Sequence, residues 1–141
     1  MKTNLLVYTS YVSPENLEKV VEKNWLPLFI IRHIAGSELI GRYSRTAIHM
    51  PELSPSSRLY QAKRDGIITV PEFKEKYLEE IREVDINAII RRFDILTDLT
   101  GAGAIVLMGY GPEFEACHRS ALTEYLNGTG LFTNKIVEIC L

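Results

Sequence analysis

The hydrophobic positions of this chain fall into short continuous runs separated by longer stretches in which apolar and polar residues alternate at helical spacing. The runs Leu5–Tyr8, Leu28–Ile31 and Ala104–Met108 contain little or no polar interruption. Runs of this length are typical of strands that are buried on both faces of a sheet. Two weaker runs indicate a short strand around Ala47–Met50 and a final strand at Ile136–Ile139, near a sheet edge.

The stretches between these runs predict helices with recognisable starts. Ser13 and Pro14 favour a helix start, with serine as the N-cap and proline at the first helical position, and we expect Pro27 to end this element. Thr69 and Glu72 have the spacing of a capping box, in which each side chain bonds the backbone of the other residue. The other predicted helices run from Ser56 to Arg64, from Asp85 to the glycines Gly101 and Gly103, and from about Glu115 to Asn127.

The order of these elements predicts the fold class. A strand, a helix and a second strand within the first part of the chain resemble a right-handed βαβ unit. Buried strands alternating with helices are typical of an α/β domain. We therefore expect residues 1–141 to form a single three-layer domain, with a mostly parallel sheet of four or five strands and helices on both faces.

Composition narrows the class of protein further. A formal net charge of −2 disfavours a protein whose whole surface attracts nucleic acid, although a local basic patch remains compatible with it. The longest apolar runs, LPLFII and AIVLM, are far shorter than a membrane-spanning helix. Two cysteines are too few for a disulfide scaffold, and the histidines and cysteines lack metal-ligand spacing. We expect a cytoplasmic protein with no cofactor, metal or membrane contact; the sequence gives no oligomeric state.

The chemically distinctive residues follow two of the predicted strands. Arg32 follows the second strand, and Tyr110 follows the Ala104–Met108 strand. Cys117, His118 and Arg119 then begin the next helix. Ligands of open α/β sheets bind beyond the carboxyl ends of the strands, so we expect Arg32 and His118 to share one crevice there.

This arrangement allows a catalytic interpretation. A helix start, a histidine and an arginine all lower the pKa of a nearby thiol, so Cys117 is a candidate nucleophile and His118 a candidate acid or base. Arg32, Tyr110 and Arg119 are candidate ligand-binding residues for a phosphate or carboxylate at the helix N-terminus. Three adjacent residues are a short motif, however, and the same residues have structural interpretations.

The structural alternative assigns each residue an ordinary role. Cysteine is among the most buried residues, so Cys117 is also compatible with simple packing against the sheet. His118 is equally compatible with a bond to a backbone carbonyl, and Arg119 with a surface pair to Glu113 or Glu115. The sequence leaves both interpretations open and does not decide whether the protein is an enzyme.

A second group of cations lies in the irregular segment after the second strand. Together with Arg32, Arg42 and Arg45 could bind a polyanion while Tyr43 stacks on a base. The alternative is a solvated loop whose arginines pair with nearby acids such as Glu38.

The chain as a whole resembles the domain of unknown function 488 family. The residues that carry the resemblance are the strand Ala104–Met108 and the run EACHRSAL from Glu115 to Leu122. Phe29 to Arg32 is similar to the family's strand that ends in an arginine, Leu53 to Leu59 to its Pro-Ser element, and Glu72 to Tyr77 to its Phe-x-x-x-Tyr helix. The resemblance implies an α/β fold and a cytoplasmic location, and it implies no particular activity.

Three functional hypotheses follow. The first is an enzyme or binding domain for a small phosphorylated or nucleotide-like anion, whose site contains Arg32, Tyr110, Cys117, His118 and Arg119. The second is an accessory protein that contacts nucleic acid through Arg42 and Arg45. The third is an interaction module without chemistry.

Overall fold

The computed structural model describes residues 2–32 and 48–141. The described residues form five strands, all parallel, in one sheet. In chain order these strands are β1 (Val7–Tyr11), β2 (Leu26–Phe29), β3 (Ile48–His49), β4 (Ile105–Gly109) and β5 (Val137–Glu138). The predicted α/β fold class and parallel sheet are therefore confirmed, although the first strand begins two residues later, and the second two residues earlier, than predicted.

The described helices match the predicted number and order. They are α1 (Pro14–Glu22), α2 (Ser57–Arg64), α3 (Val70–Ile81), α4 (Ile86–Thr100) and α5 (His118–Gly128). Ser13, Ser56, Thr69 and Asp85 cap the first four helices, and Thr69 and Glu72 form the predicted capping box. Gly101 ends α4 in the left-handed conformation, with φ of 70°, which favours glycine.

The spatial order of the strands is β3-β2-β4-β1-β5, so β4, the fourth strand in sequence, is inserted between β1 and β2. Alternate residues of β4 point to opposite faces. Val106 and Met108 pack on the face covered by α1, whereas Ile105 and Leu107 pack on the face covered by α3, α4 and α5. Burial on both faces explains why this strand contains no polar residue.

Two predicted boundaries are wrong for physical reasons. Pro27 does not end α1 but lies inside β2. The N–H groups of Leu26 and Ile30 donate to the oxygens of Ala104 and Met108, on the side of β4. The proline nitrogen therefore faces the other side of β2, where pairing with β3 begins only at Leu28. The last helix begins at His118 rather than Glu115, because a short 3₁₀ turn occupies Phe114–Ala116.

In the described ranges, no helix has both the length and the apolar character needed to cross a membrane. The same ranges contain no cluster of three or more histidine, cysteine or acidic side chains placed to hold a metal ion.

Candidate functional site

A cavity of about 230 Å³ lies beyond the carboxyl ends of β2 and β4. Its walls come from the residues that follow these two strands, from α2 and α3, and from the start of α5. The described lining residues are Ile31, Arg32, Pro55, Ser57, Tyr60, Lys63, Phe73, Tyr110, Gly111, Cys117 and His118. Arg32 and His118 therefore share one cavity at the edge where parallel strands end, as the topology predicts.

Cys117 reaches this cavity because of how the chain turns after β4. The 3₁₀ turn ends at Cys117, which is the N-cap of α5 and has an extended backbone. Its side chain packs against Gly109, where an added Cβ would lie 2.9 Å from the Cys117 Sγ atom. No larger residue fits at position 109 without displacing the sulfur, so the last residue of β4 sets the position of the thiol.

His118 is held by a contact at each ring nitrogen. The Nε2 atom lies 2.7 Å from the backbone oxygen of Ile30, and Nδ1 lies 3.6 Å from the Cys117 Sγ atom. A carbonyl oxygen only accepts hydrogen bonds, so Nε2 must carry the hydrogen. In the neutral ring Nδ1 is then the acceptor, and it faces the thiol proton. His118 thus bonds a backbone carbonyl and also contacts Cys117.

A buried tyrosine supports the opposite side of the histidine ring. The Tyr77 ring packs edge-on against His118, with 5.2 Å between the ring centroids. Its hydroxyl donates to the Leu53 backbone oxygen at 2.6 Å, and burial raises the pKa of Tyr77 well above its ordinary value. Tyr77 therefore remains a neutral donor that fixes the plane of its own ring and, through that ring, the position of His118.

The Cys117 thiol is buried, yet its pKa is low. Burial alone raises the pKa, because it disfavours the charged thiolate. The hydrogen bond and charge of His118 oppose this, with further contributions from the backbone N–H and guanidinium of Arg119, and together they lower the Cys117 pKa to about 6. Thiolate is the reactive form of cysteine, so Cys117 is a candidate nucleophile near neutral pH.

Arg119 is fully buried and does not line the cavity. Its guanidinium forms a two-point pair with the Glu138 carboxylate, with N–O distances of 3.0 and 2.9 Å. It also donates to the backbone oxygens of Gly111 and Pro112. In place of the surface pair with Glu113 or Glu115 that the sequence allowed, Arg119 pairs with a residue of β5, and it joins that strand to the loop after β4.

Two other cations line the cavity itself. The Arg32 guanidinium donates to the Pro55 backbone oxygen at 2.9 Å and to that of Pro51 at 3.3 Å. The Lys63 ammonium donates to the Ala116 backbone oxygen at 2.5 Å. None of the described lining residues is acidic. The cavity wall therefore combines positive charge with apolar and aromatic surface.

Three predicted site residues remain, namely Tyr110, Arg42 and Arg45. Tyr110 lines the cavity, and its pKa is raised by burial and by the neighbouring Tyr60. Arg42 and Arg45 lie outside the described residues, as do Tyr43 and the acid that was expected to pair with them.

Sequence reasoning missed Lys63, Tyr60 and the partner of Arg119. Tyr60 and Lys63 are three residues apart on α2 and thus share a helix face, but a tyrosine and a lysine at this spacing are common on solvated helices. Glu138 belongs to a two-residue edge strand and gave no signal of its own. Only the fold brings these residues to the motif.

The comparison with protein families gives one match. The model of DUF488-N3a, described as the active DUF488-N3 subclade, matches residues 32–130, which is more than half of the chain. The matched range includes the Cys117–Arg119 motif and Lys63, whereas Ile30 and Glu138 lie outside it. Comparisons with curated proteins and with solved structures give no match.

Proposed function

This chain belongs to the DUF488-N3a family, and on that premise we propose that it is an enzyme whose Cys117 thiolate attacks a small anionic ligand. The observation that carries the proposal is the contact between Cys117 Sγ and His118 Nδ1 at 3.6 Å, inside a cavity that both residues line. A nucleophile beside a base that is itself held by a third group is the arrangement found in cysteine-dependent catalysis. Here the third group is the Ile30 backbone oxygen.

The proposed chemistry follows from the tautomer of His118. The thiol proton of Cys117 passes to Nδ1, which leaves a thiolate beside an imidazolium. The sulfur then forms a bond to an electrophilic atom of the ligand, the bond to the leaving group breaks, and Nδ1 returns the proton to the departing group. Water or a second acceptor, deprotonated by His118, releases the group from the sulfur and restores the thiol.

The cavity suggests the class of ligand. Its volume of about 230 Å³ lies below the range of roughly 300–1,000 Å³ that is typical of sites for drug-sized molecules. The ligand is therefore small, or only its reacting end enters. Tyr60, Tyr110 and Phe73 offer ring surface, and Arg32 and Lys63 favour a phosphate or carboxylate. In this proposal Arg119 contacts no ligand, because Glu138 already occupies its guanidinium; it acts on the thiolate through its charge and on the loop through its hydrogen bonds.

The description of the family supports retained chemistry, since the matched subclade is the one called active. We do not extend the proposal to nucleic acid. That hypothesis depends on Arg42 and Arg45, which lie outside the described residues.

The test is alkylation of the native protein by iodoacetamide at pH 6, followed by mass mapping of both cysteines. Cys117 is expected to label faster than Cys140, although Cys140 is the exposed one, and His118→Ala is expected to slow Cys117 at least tenfold. Cys140 reports the general reagent reactivity in the same sample. If Cys117 remains unlabelled until the protein unfolds, it is a packing residue and the proposed function is wrong.

A further inference from the structure

Lys63 is a cation that the fold places in the cavity wall. It lies in the last turn of α2, where its ammonium lies 4.7 Å from the centroid of the Phe73 ring while it bonds the Ala116 backbone oxygen. Two fixed contacts hold a side chain that is usually flexible. Ala116 immediately precedes Cys117, so the ammonium is tied to the same turn that presents the thiol.

Arg32 reaches the same cavity from β2. It is also fixed by backbone oxygens, those of Pro51 and Pro55. Carbonyl oxygens orient a cation without cancelling its charge. Within residues 2–32 and 48–141, the ion pairs of the protein involve other residues: Lys74 with Glu115, Arg92 with Glu52, and Arg119 with Glu138. The described partners of Lys63 and Arg32 are thus neutral, whereas Arg119, outside the cavity, has a carboxylate.

This contrast separates the cations by role. Arg119 is paired with the Glu138 carboxylate, while Lys63 and Arg32 present charge toward a cavity whose described walls contain no acid. Cys117 lines the same cavity. A ligand with a negative group close to its electrophilic atom would meet both cations while that atom meets the sulfur.

We propose that Lys63, with Arg32, is the specificity-determining cation of this site, which selects ligands whose phosphate or carboxylate lies within a few bonds of the atom attacked by Cys117. The inference rests on the proposed function, because it assumes that Cys117 reacts. It assigns a binding role to a lysine outside the Cys-His-Arg motif. It also predicts that charge, rather than size, distinguishes good ligands from poor ones.

The test compares two reagents of nearly equal size. Iodoacetate and iodoacetamide both carry a CH₂–I group, and in both the thiolate sulfur bonds the CH₂ carbon while iodide leaves. The first ends in a carboxylate and the second in a neutral amide. The measured quantity is the ratio of their rates at Cys117, divided by the same ratio at Cys140. A ratio cancels any change in the intrinsic reactivity of the thiolate.

We expect this normalised ratio to exceed one in the native protein and to fall about threefold to tenfold in Lys63→Met, the effect of removing one partly screened charge. Lys63→Arg retains the charge and is expected to retain most of the preference. Arg64→Met is the matched control, because Arg64 is the next residue of α2, is exposed, and does not line the cavity; it should leave the ratio unchanged.

The outcomes separate the inference from the proposal beneath it. If neither reagent labels Cys117 in the folded protein, the proposed function fails. If iodoacetamide labels Cys117 but the normalised ratio is near one, or if Lys63→Met and Arg64→Met change it equally, the function stands and the role of Lys63 is overturned.

Two competing anions identify the preferred group. Inorganic phosphate and acetate are tested for protection of Cys117 from iodoacetamide. Protection by phosphate at the lower concentration assigns a phosphate-bearing ligand, and the reverse assigns a carboxylate. If neither anion protects Cys117 in the native protein, and the Lys63→Met variant gives the same result, the inference is contradicted.

Discussion

The two cysteines of this protein occupy regions that differ in almost every property that determines reactivity. Cys117 lies at the start of α5, is only 4% exposed, and contacts a histidine whose orientation is fixed by a backbone oxygen. Cys140 follows the edge strand β5 near the end of the chain and is exposed. The buried thiol of Cys117 has a low pKa because local hydrogen bonds and charges outweigh the effect of burial. Accessibility and thiolate stabilisation are therefore separate properties at this site.

The two regions are also physically joined. Glu138 in β5, two residues before Cys140, pairs with Arg119, two residues after Cys117. Glu138 also accepts a hydrogen bond from Thr9 of β1 at 2.6 Å. The C-terminal strand thus contributes no reactive group, yet it anchors the arginine that bonds the Gly111 and Pro112 oxygens beside the cavity.

The largest expected effect comes from removing the pair between Arg119 and Glu138. Arg119→Met removes a fully buried cation, leaves Glu138 with its bond from Thr9 but no cation, and takes the donor from two backbone oxygens. Removing one member of a buried pair typically costs about 3–5 kcal/mol, and we expect the lower end because Glu138 is partly exposed. The matched control is Arg92→Met, which breaks the exposed pair with Glu52 and should cost at most about 1 kcal/mol. Denaturant unfolding of both variants measures the difference; equal losses would show that Arg119 does not brace the site.

The next effect is a pH dependence of stability that belongs to Cys117. The folded-state pKa of Cys117 is about 6, below the ordinary value of 9.0. A group whose pKa is lowered by folding stabilises the folded protein at pH values above its unfolded-state pKa. For Cys117 this contribution is lost as the pH falls from about 9 to about 6. A difference of about three between the two pKa values corresponds to at most about 4 kcal/mol in the free energy of unfolding.

The measurement compares the free energy of unfolding of two proteins that both carry Cys140→Ala, with and without Cys117→Ala. The difference between them should grow in favour of Cys117 as the pH rises from 6 to 9. A difference that stays constant over this range would mean that the Cys117 pKa is the same in the folded and unfolded states.

A smaller effect tests the position of the sulfur. Gly109→Ala places a methyl group 2.9 Å from the Cys117 Sγ atom, so the thiol must shift from its position beside His118. We expect a stability loss of about 1–3 kcal/mol from overpacking and slower alkylation of Cys117. Gly128→Ala is the control, because an added Cβ there meets nothing within 4 Å and Gly128 does not line the cavity. If the two variants alkylate equally fast, Gly109 does not determine the geometry of the thiol.

The fold was largely predictable from the sequence because its signals are local. Ser13, Thr69 and Asp85 each cap the helix that the sequence assigned to them, and the run before Gly109 forms a buried strand of the sheet. The candidate site was predictable in outline only. The Cys-His-Arg motif, which follows Tyr110, indicated the position of the site, because the carboxyl ends of parallel strands lie at a common edge of the sheet.

The partners within the site were not predictable because they depend on contacts between distant residues. Glu138 reaches Arg119 only because β5 pairs with β1, and Ile30 reaches His118 only because β4 is inserted beside β2. Lys63 lines the cavity because of how α2 packs, and the spacing of charged residues in the sequence does not indicate that packing. The prediction that Pro27 ends α1 was wrong because a strand tolerates a proline whose nitrogen faces an unpaired side.

The central claim is that Cys117 is a thiolate near neutral pH because His118 stabilises it, and a direct titration tests this. The ultraviolet absorbance of thiolate is measured against pH in the native protein carrying Cys140→Ala, so that Cys117 is the only thiol. A second protein carries Cys140→Ala together with His118→Ala. The account predicts an inflection near pH 6 in the first protein and a shift to higher pH in the second. An inflection near 9 in the first protein, unchanged by His118→Ala, would contradict the account.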